Sequence, residues 1–310
     1  MSNYTVTNIN GTRINYGNTQ WPVSSINISD PFGPRRLTEN SNNYDFHRGL
    51  DFQDQEGVPV YAIADGTVNR VQADCTSCAF PNGGNVVVIK HSLPSGVNYV
   101  LNGQSFTEYY SIYSHLKDFK IDDVGTTLTT GTTITKGSRI GSLGATDANY
   151  PHLHLETRVG TTCSAESQQN SSSSCYQRFG SQVIDPSVHP LYFLNYVNDV
   201  YVENNAYDVC VAKAPNVKVK LESPRNELDF NEIEIISGGQ SKKINFTTKA
   251  GINLSNIDQT PYDGVTIIPP DFNSSSPKYT IEFDFANFTN FDEITVRDIW
   301  GNGKKIVPRP

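Results

Sequence analysis

No apolar run in the sequence comes near the roughly 18 residues that a membrane-spanning helix needs, so no transmembrane span is expected. A basic balance is missing too: 24 Lys and Arg stand against 32 Asp and Glu, a formal net charge of −8. Nucleic-acid surfaces need a basic stripe to displace counterions from phosphates, so no nucleic-acid partner is expected. The same acidity gives no long-range pull toward an anionic surface, and any binding to one has to be local. Charged residues make up only 18% of the chain, while Ser, Thr, Asn and Gly are abundant, a balance that favours turn-rich β structure over a helical bundle. An H-E-x-x-H helix, the mark of thermolysin-like zinc peptidases, is absent. Met1-Ser2-Asn3-Tyr4 does not start a secretory leader, so export implies a leader removed ahead of this sequence.

Cysteine is scarce and odd in number: five, at 75, 78, 163, 175 and 210, leaving at least one unpaired within a monomer. Cys163 and Cys175 flank the low-complexity stretch Ser164 to Ser174, which a disulfide would close, and this bridge points to an oxidising compartment. Cys75-Thr-Ser-Cys78 has no second close pair to complete a zinc knuckle and no βαβ setting for a redox site. It reads as a local disulfide or as two free thiols.

With 310 residues the chain exceeds one ordinary core, and two domains are expected. Strand signals recur as β-branched runs punctuated by Gly, Asn and Pro: Val58–Ile63, Gly66–Val68, Asn85–Ile89, Tyr109–Tyr113 and Arg139–Leu143. A short helix is predicted from Pro190 through Asn198. Polar, Pro-containing sequence over 201–224 marks a linker, after which Ile233 and Ile235 alternate with Glu232 and Glu234. Tyr279, Ile281, Phe283 and Phe285 alternate likewise with Thr280, Glu282 and Asp284, and Ile294-Thr-Val296 adds a strand. The expected division is an N-terminal extension over 1–29, a catalytic domain over 30–200, the linker over 201–224 and a β-sandwich over 225–310. The fold class expected is all-β, with antiparallel sheets in both domains.

Six histidines stand at 47, 91, 115, 152, 154 and 189. In Phe46-His47-Arg-Gly-Leu-Asp51-Phe52, an extended backbone puts His47 and Asp51 on one face, within reach of one ion. In Pro151-His152-Leu-His154-Leu-Glu156, two imidazoles share one strand face while Leu153 and Leu155 take the other. Two imidazoles and a carboxylate form a normal shell for catalytic zinc, which keeps a position open for water. Tyr109-Tyr-Ser-Ile-Tyr-Ser-His115-Leu116 is a strand ending at a histidine.

In type and order these three elements resemble the lysostaphin/LytM-type zinc metallopeptidases. Asp30-Pro-Phe-Gly-Pro-Arg35 is similar to that family's opening Phe-Gly-x-Arg, Gly57 through Val68 to its hairpin, Gly84 through His91 to its next strand, and Thr135 through Gly144 to the glycine-rich turn before His-x-His. The resemblance covers roughly Asp30 to Pro186. It implies Zn²⁺ held by His47, Asp51 and His154, with His115 and His152 as catalytic groups that move protons or stabilise the oxyanion beside a zinc-activated water. It further implies a secreted, periplasmic or extracellular metalloendopeptidase acting on peptidoglycan peptides. The alternatives are a secreted protease on Gly-rich protein such as elastin, or a non-catalytic zinc-binding module of the same fold. A purely structural zinc would need His115 or His152 as an additional ligand.

The remaining candidates read as supporting residues. Arg35 or Arg36 orders the rim or holds a substrate carboxylate, and Tyr44 or Tyr113 donates to the oxyanion or packs. Glu156 is expected behind the ligands or exposed, and His91 and His189 are expected to be non-catalytic. The segment His91 through Thr107 is longer than a tight hairpin needs and is expected to form a groove wall.

Overall fold

Where β-branched residues alternate with turn formers, the chain forms strands. The computed structural model describes residues 4–36, 44–74, 83–101, 103–160, 177–179, 182–184, 186–194, 208–212, 215–223, 230–245, 265–268 and 279–309. Every strand signal named above falls in an observed strand except Val58–Ile63, of which only Pro59–Tyr61 is one.

A ten-stranded antiparallel sheet carries the first half. Its main path runs Thr133–Ile134, Gly66–Gln72, Asn85–Ser92, Glu108–Asp118, His152–Arg158, Gly49–Gln53, Ile28–Asp30. Arg139–Leu143 pairs with the distal end of Glu108–Asp118 and with Pro59–Tyr61, and Ser187–Val188 pairs with His152–Arg158. Period-two alternation sorts the faces. Leu50, Phe52, Val87, Ile89, Tyr113, Leu153 and Leu155 go into the large apolar core, so the alternate residues His152, His154, Glu156 and Arg158 share the other face. At roughly 25 cal/mol per Å² of apolar surface removed from water, this core anchors the strands that carry the polar row.

The second half is a β-sandwich. One sheet has the order Tyr4–Ile9, Gly303–Pro308, Glu293–Asp298, Phe230–Ser237, Gln240–Asn245, and the other Asp208–Ala212, Val217–Ser223, Tyr279–Phe285, Val265–Ile268. Val217, Val219, Leu221, Phe283 and Phe285 meet Ile233, Ile235, Ile244, Ile294, Val296 and Ile306 in one core. Strands therefore lie outside the expected sandwich limits: Asp208–Ala212 and Val217–Ser223 come from the segment read as linker, and Tyr4–Ile9 from the N-terminal extension. In Val217–Ser223 the alternation of Val217, Val219 and Leu221 with Lys218 and Lys220 carries the strand through a stretch whose overall composition is polar.

Two expectations need correction. Of the helix expected over 190–198, residues 190–194 are described, and there Pro190–Tyr192 form a single 3-10 turn, capped by His189, whose Nδ1 accepts from the Leu191 N–H. Leu191, Phe193 and Leu194 each insert into the core, and Phe193 stacks on Tyr109 with ring centroids 4.1 Å apart. That packing overrides the helical period. The segment His91 through Thr107 forms a small hairpin, Tyr99–Leu101 with Gln104–Phe106, and does not wall the groove. It joins the strand end where Tyr110 opposes Arg158, whereas His154 opposes Ser114 further along. Tyr99 there packs against Tyr16, Tyr192 and Phe193. The bridges expected of Cys75, Cys78, Cys163 and Cys175 lie outside the described residues. Among those described, no helix is long and apolar enough to cross a membrane.

Candidate metal centre

His47 and Asp51 belong to two successive strands and not to one. Tyr44–His47 pairs with Gly33–Arg36, the chain breaks at Arg48, and Gly49–Gln53 pairs with His152–Arg158. The change of partner leaves the spacing effective: His47 Nε2 is 3.2 Å from Asp51 Oδ1. Asp51 and His154 oppose each other directly across the ladder, which sets His154 Nδ1 2.9 Å from the same carboxylate oxygen. The third side of the triangle, His47 Nε2 to His154 Nδ1, measures 3.0 Å.

Such a cluster fits a tetrahedral cation. Ligand atoms at zinc distances of about 2.0–2.1 Å lie about 3.3 Å apart along a tetrahedron edge, close to these three separations. The tautomer fits as well. His47 Nδ1 lies 2.8 Å from the Pro31 carbonyl, which can only accept, so Nδ1 carries the proton and Nε2 turns its lone pair to the cluster. All three residues are buried. Burial pushes the Asp51 carboxyl up, but the charge and hydrogen bonds of His47 and His154 outweigh it and hold the group well below the usual carboxylate range. Gly49 belongs to the same construction: a Cβ there would lie 2.7 Å from His154 Cε1 and 2.6 Å from the Leu155 carbonyl. Only a glycine lets that imidazole lie flat against the neighbouring strand.

His152 and His115 flank the triangle without joining it. Their ring centroids are 4.7 Å apart, and His115 lies 6.1 Å from His154. His152 Nδ1 donates to the Tyr150 carbonyl at 3.0 Å, and His115 Nδ1 donates to the Thr146 carbonyl at 2.9 Å. Both neutral rings therefore carry their lone pair on Nε2. His152 Nε2 stands 3.8 Å from Asp51 Oδ2, beyond hydrogen-bond range. His115 occupies the left-handed region, with φ 61°, at the point where the register against Asn85–Ser92 shifts between Tyr113 and Leu116. A non-glycine residue held there costs about 1–3 kcal/mol and persists only where its surroundings over-determine it. The bulge turns the imidazole toward the cluster.

Residues 45–169 match the profile of peptidase family M23. Over that stretch the chain is similar to the M23 peptidases. This is the family the motifs resemble. A protein of Haemophilus influenzae named an uncharacterized metalloprotease is 30% identical over 156 residues, 49% of this chain and 27% of that protein. The peptidoglycan DD-endopeptidase ShyC of Vibrio cholerae is 30% identical over 139 residues, 44% of this chain and 26% of its own length. The matches thus span about a quarter of each relative. Among solved structures, the catalytic domain of lysostaphin from Staphylococcus simulans is 22% identical, covers 53% of this chain and 88% of its own, and has a TM-score of 0.33.

Within the stretch that matches the M23 profile the five singled-out residues converge, and the others take up structural positions. His91 is buried between the Asp65 carbonyl and the Ser111 hydroxyl, and burial lowers its pKa to about 4 against the opposing pull of the Asp65 carbonyl. His189 caps the 3-10 turn and packs on Phe32. Tyr113 is fully buried, its hydroxyl accepting from the Ile63 N–H and from Ser111. Glu156 is wholly buried, held by Arg158 Nε at 2.6 Å and Ser187 Oγ at 2.8 Å, so of its two expected placements, behind the ligands or exposed, the exposed one falls away. The side chains of Arg35, Arg36 and Tyr44 lie outside the described residues. Sequence reasoning missed Gly49, Thr146 and Tyr150. The glycine inside H-x-x-x-D was a readable signal, because a strand glycine marks close approach. Thr146 and Tyr150 act on the histidines through main-chain carbonyls, which carry no residue-type signature.

Proposed function

We propose that this protein is a zinc-dependent metalloendopeptidase that hydrolyses peptide bonds in bacterial cell-wall peptidoglycan, outside the cytoplasm. The observation that carries the reading is the triangle of His47 Nε2, Asp51 Oδ1 and His154 Nδ1 with two non-ligand imidazoles beside it. The substrate class draws on the relatives named as peptidoglycan DD-endopeptidase and DD-carboxypeptidase/endopeptidase. The division into a catalytic unit and an accessory sandwich belongs to the same proposal, with Tyr4–Ile9 and the strands from Asp208 onward assigned to the sandwich.

His47, Asp51 and His154 would hold the zinc. When bound, zinc supplies a Lewis acid and lowers the pKa of water. His47 stays in the tautomer that can ligate because its Nδ1–H donates to the Pro31 carbonyl. His115 and His152, each with Nδ1 committed to a carbonyl, present Nε2 as a base in the neutral form and as a donor once protonated. One such nitrogen can accept the proton of the attacking water and return it to the departing amine, while the other donates to the developing oxyanion. The burial of Asp51 and His154 keeps bulk water from competing for the cluster.

The test is zinc content measured beside digestion of purified peptidoglycan, comparing the natural sequence with His152→Ala. Stoichiometric zinc, with new amino termini released by the natural sequence alone, is the expected result. Zinc without new termini would overturn the wall reading, and elastin offered in parallel would show whether Gly-rich protein is the substrate instead.

A further inference from the structure

Both non-ligand histidines hang from one short segment, residues 145–151, between the Arg139–Leu143 and His152–Arg158 strands. The carbonyl of Thr146 accepts from His115 and that of Tyr150 from His152. At its start, Thr146 is tied from three directions. Its hydroxyl donates to the Leu116 carbonyl at 2.9 Å and accepts from the Asn85 N–H at 2.9 Å. Its carbonyl packs so closely on Gly84 that a Cβ at that glycine would lie 2.2 Å from the oxygen. Asp147, the next residue, has φ 52°, so the chain turns away immediately after the carbonyl that faces His115.

These contacts bracket the strained residue. Leu116 follows His115 directly, Gly83 accepts from the His115 N–H at 2.8 Å, and Asn85 lies opposite Leu116 in the ladder. The Thr146 hydroxyl thus ties the backbone just after the bulge to the neighbouring strand opposite it, while its carbonyl fixes the ring that the bulge projects. We propose that Thr146 is a positioning residue for His115: its hydroxyl clamps the bulge, and its carbonyl holds the imidazole with the proton on Nδ1 and the lone pair on Nε2. Asn85 is the counterpart on the neighbouring strand, its Nδ2 donating to the Leu116 and Lys117 carbonyls at 2.9 and 3.2 Å. This inference rests on the peptidase reading for its effect on turnover, but not for its effect on the ring.

The test uses the full chain with zinc bound, carrying Thr146→Val, which keeps the shape and removes the hydroxyl, and Thr146→Ser, which restores it. Nitrogen–proton correlation spectra report the His115 tautomer, and hydrolysis of soluble crosslinked peptidoglycan peptides reports kcat and KM. Thr146→Val is expected to mix the two His115 tautomers, lower kcat by roughly ten- to a hundred-fold, the range for an orienting partner, and leave KM and zinc content unchanged. Thr146→Ser is expected to recover both the single tautomer and kcat. An unchanged tautomer and kcat in folded Thr146→Val overturn the proposal. Should that variant not fold, Thr146→Ala carries the same two readouts. Absence of hydrolysis by the natural sequence would count against the peptidase reading alone, since the tautomer still decides the role of Thr146.

Discussion

The ten-stranded sheet and the sandwich bury different things. The sandwich core is built of Val, Leu, Ile and Phe from two facing sheets. The larger sheet buries such residues on one face and, on the other, beside a small apolar cluster of Val86, Val88 and Ile112, a row of His152, His154, Glu156 and Arg158 with Asp51 alongside, each at most 7% exposed. Buried polar groups cost free energy unless each is paired, so a sheet selected for stability alone has no use for such a row. The contrast separates a region whose interior is arranged for chemistry from one whose interior is arranged for cohesion.

Four experiments would break or sharpen that contrast. The largest effect is expected of His154→Ala, which removes a corner of the donor triangle: zinc content and hydrolysis should vanish together, and retention of zinc by dialysed protein would place the metal elsewhere. His115→Ala should keep zinc and lose about 10²- to 10⁴-fold in turnover, the usual worth of a positioned acid or base; full turnover would remove His115 from the mechanism. On the sandwich side, Phe283→Ala should cost about 3–5 kcal/mol in denaturant unfolding, with kcat per folded molecule unchanged. A fall in kcat there would show that the two regions do not divide the work as their interiors suggest.

The smallest effect concerns His91, a buried imidazole outside the donor cluster. Burial lowers its pKa to about 4, whereas the unfolded chain titrates near 6.5. Its stabilising contribution is complete above about pH 6.5 and is lost as the pH falls toward 4, because the unfolded chain takes up a proton that the folded one refuses. The loss amounts to at most about 3 kcal/mol. Melting at pH 7 and pH 4.5 should show a smaller drop for His91→Gln than for the natural sequence, and equal drops would assign the acid sensitivity to other groups.

How much of this was legible in the sequence follows from how each feature is encoded. Strands announced themselves through alternation, and the five polar residues of the cluster through residue type and spacing, because imidazole and carboxylate are the chemistry itself. The break at Arg48 was not legible: His47 and Asp51 reach one point whether or not a single strand joins them. The 3-10 turn at Pro190 was obscured by apolar residues whose spacing imitates a helix while core packing directs them elsewhere. The bulge at His115 and the carbonyls of Thr146 and Tyr150 are main-chain features that almost any residue could supply, so letters alone do not reveal them.

The pairing of Tyr4–Ile9 with Gly303–Pro308 has a consequence for the order in which the molecule can be assembled. Closing a contact between segments so far apart along the chain comes late and slowly. During synthesis Tyr4–Ile9 is made before every other described strand of this sequence, and its partner Gly303–Pro308 after all of them. Until residue 308 has emerged, Tyr4–Ile9 is an unpaired edge that must be kept from pairing with other chains. A nascent chain halted within the sandwich would therefore hold a complete donor triangle and an open sheet at the same time.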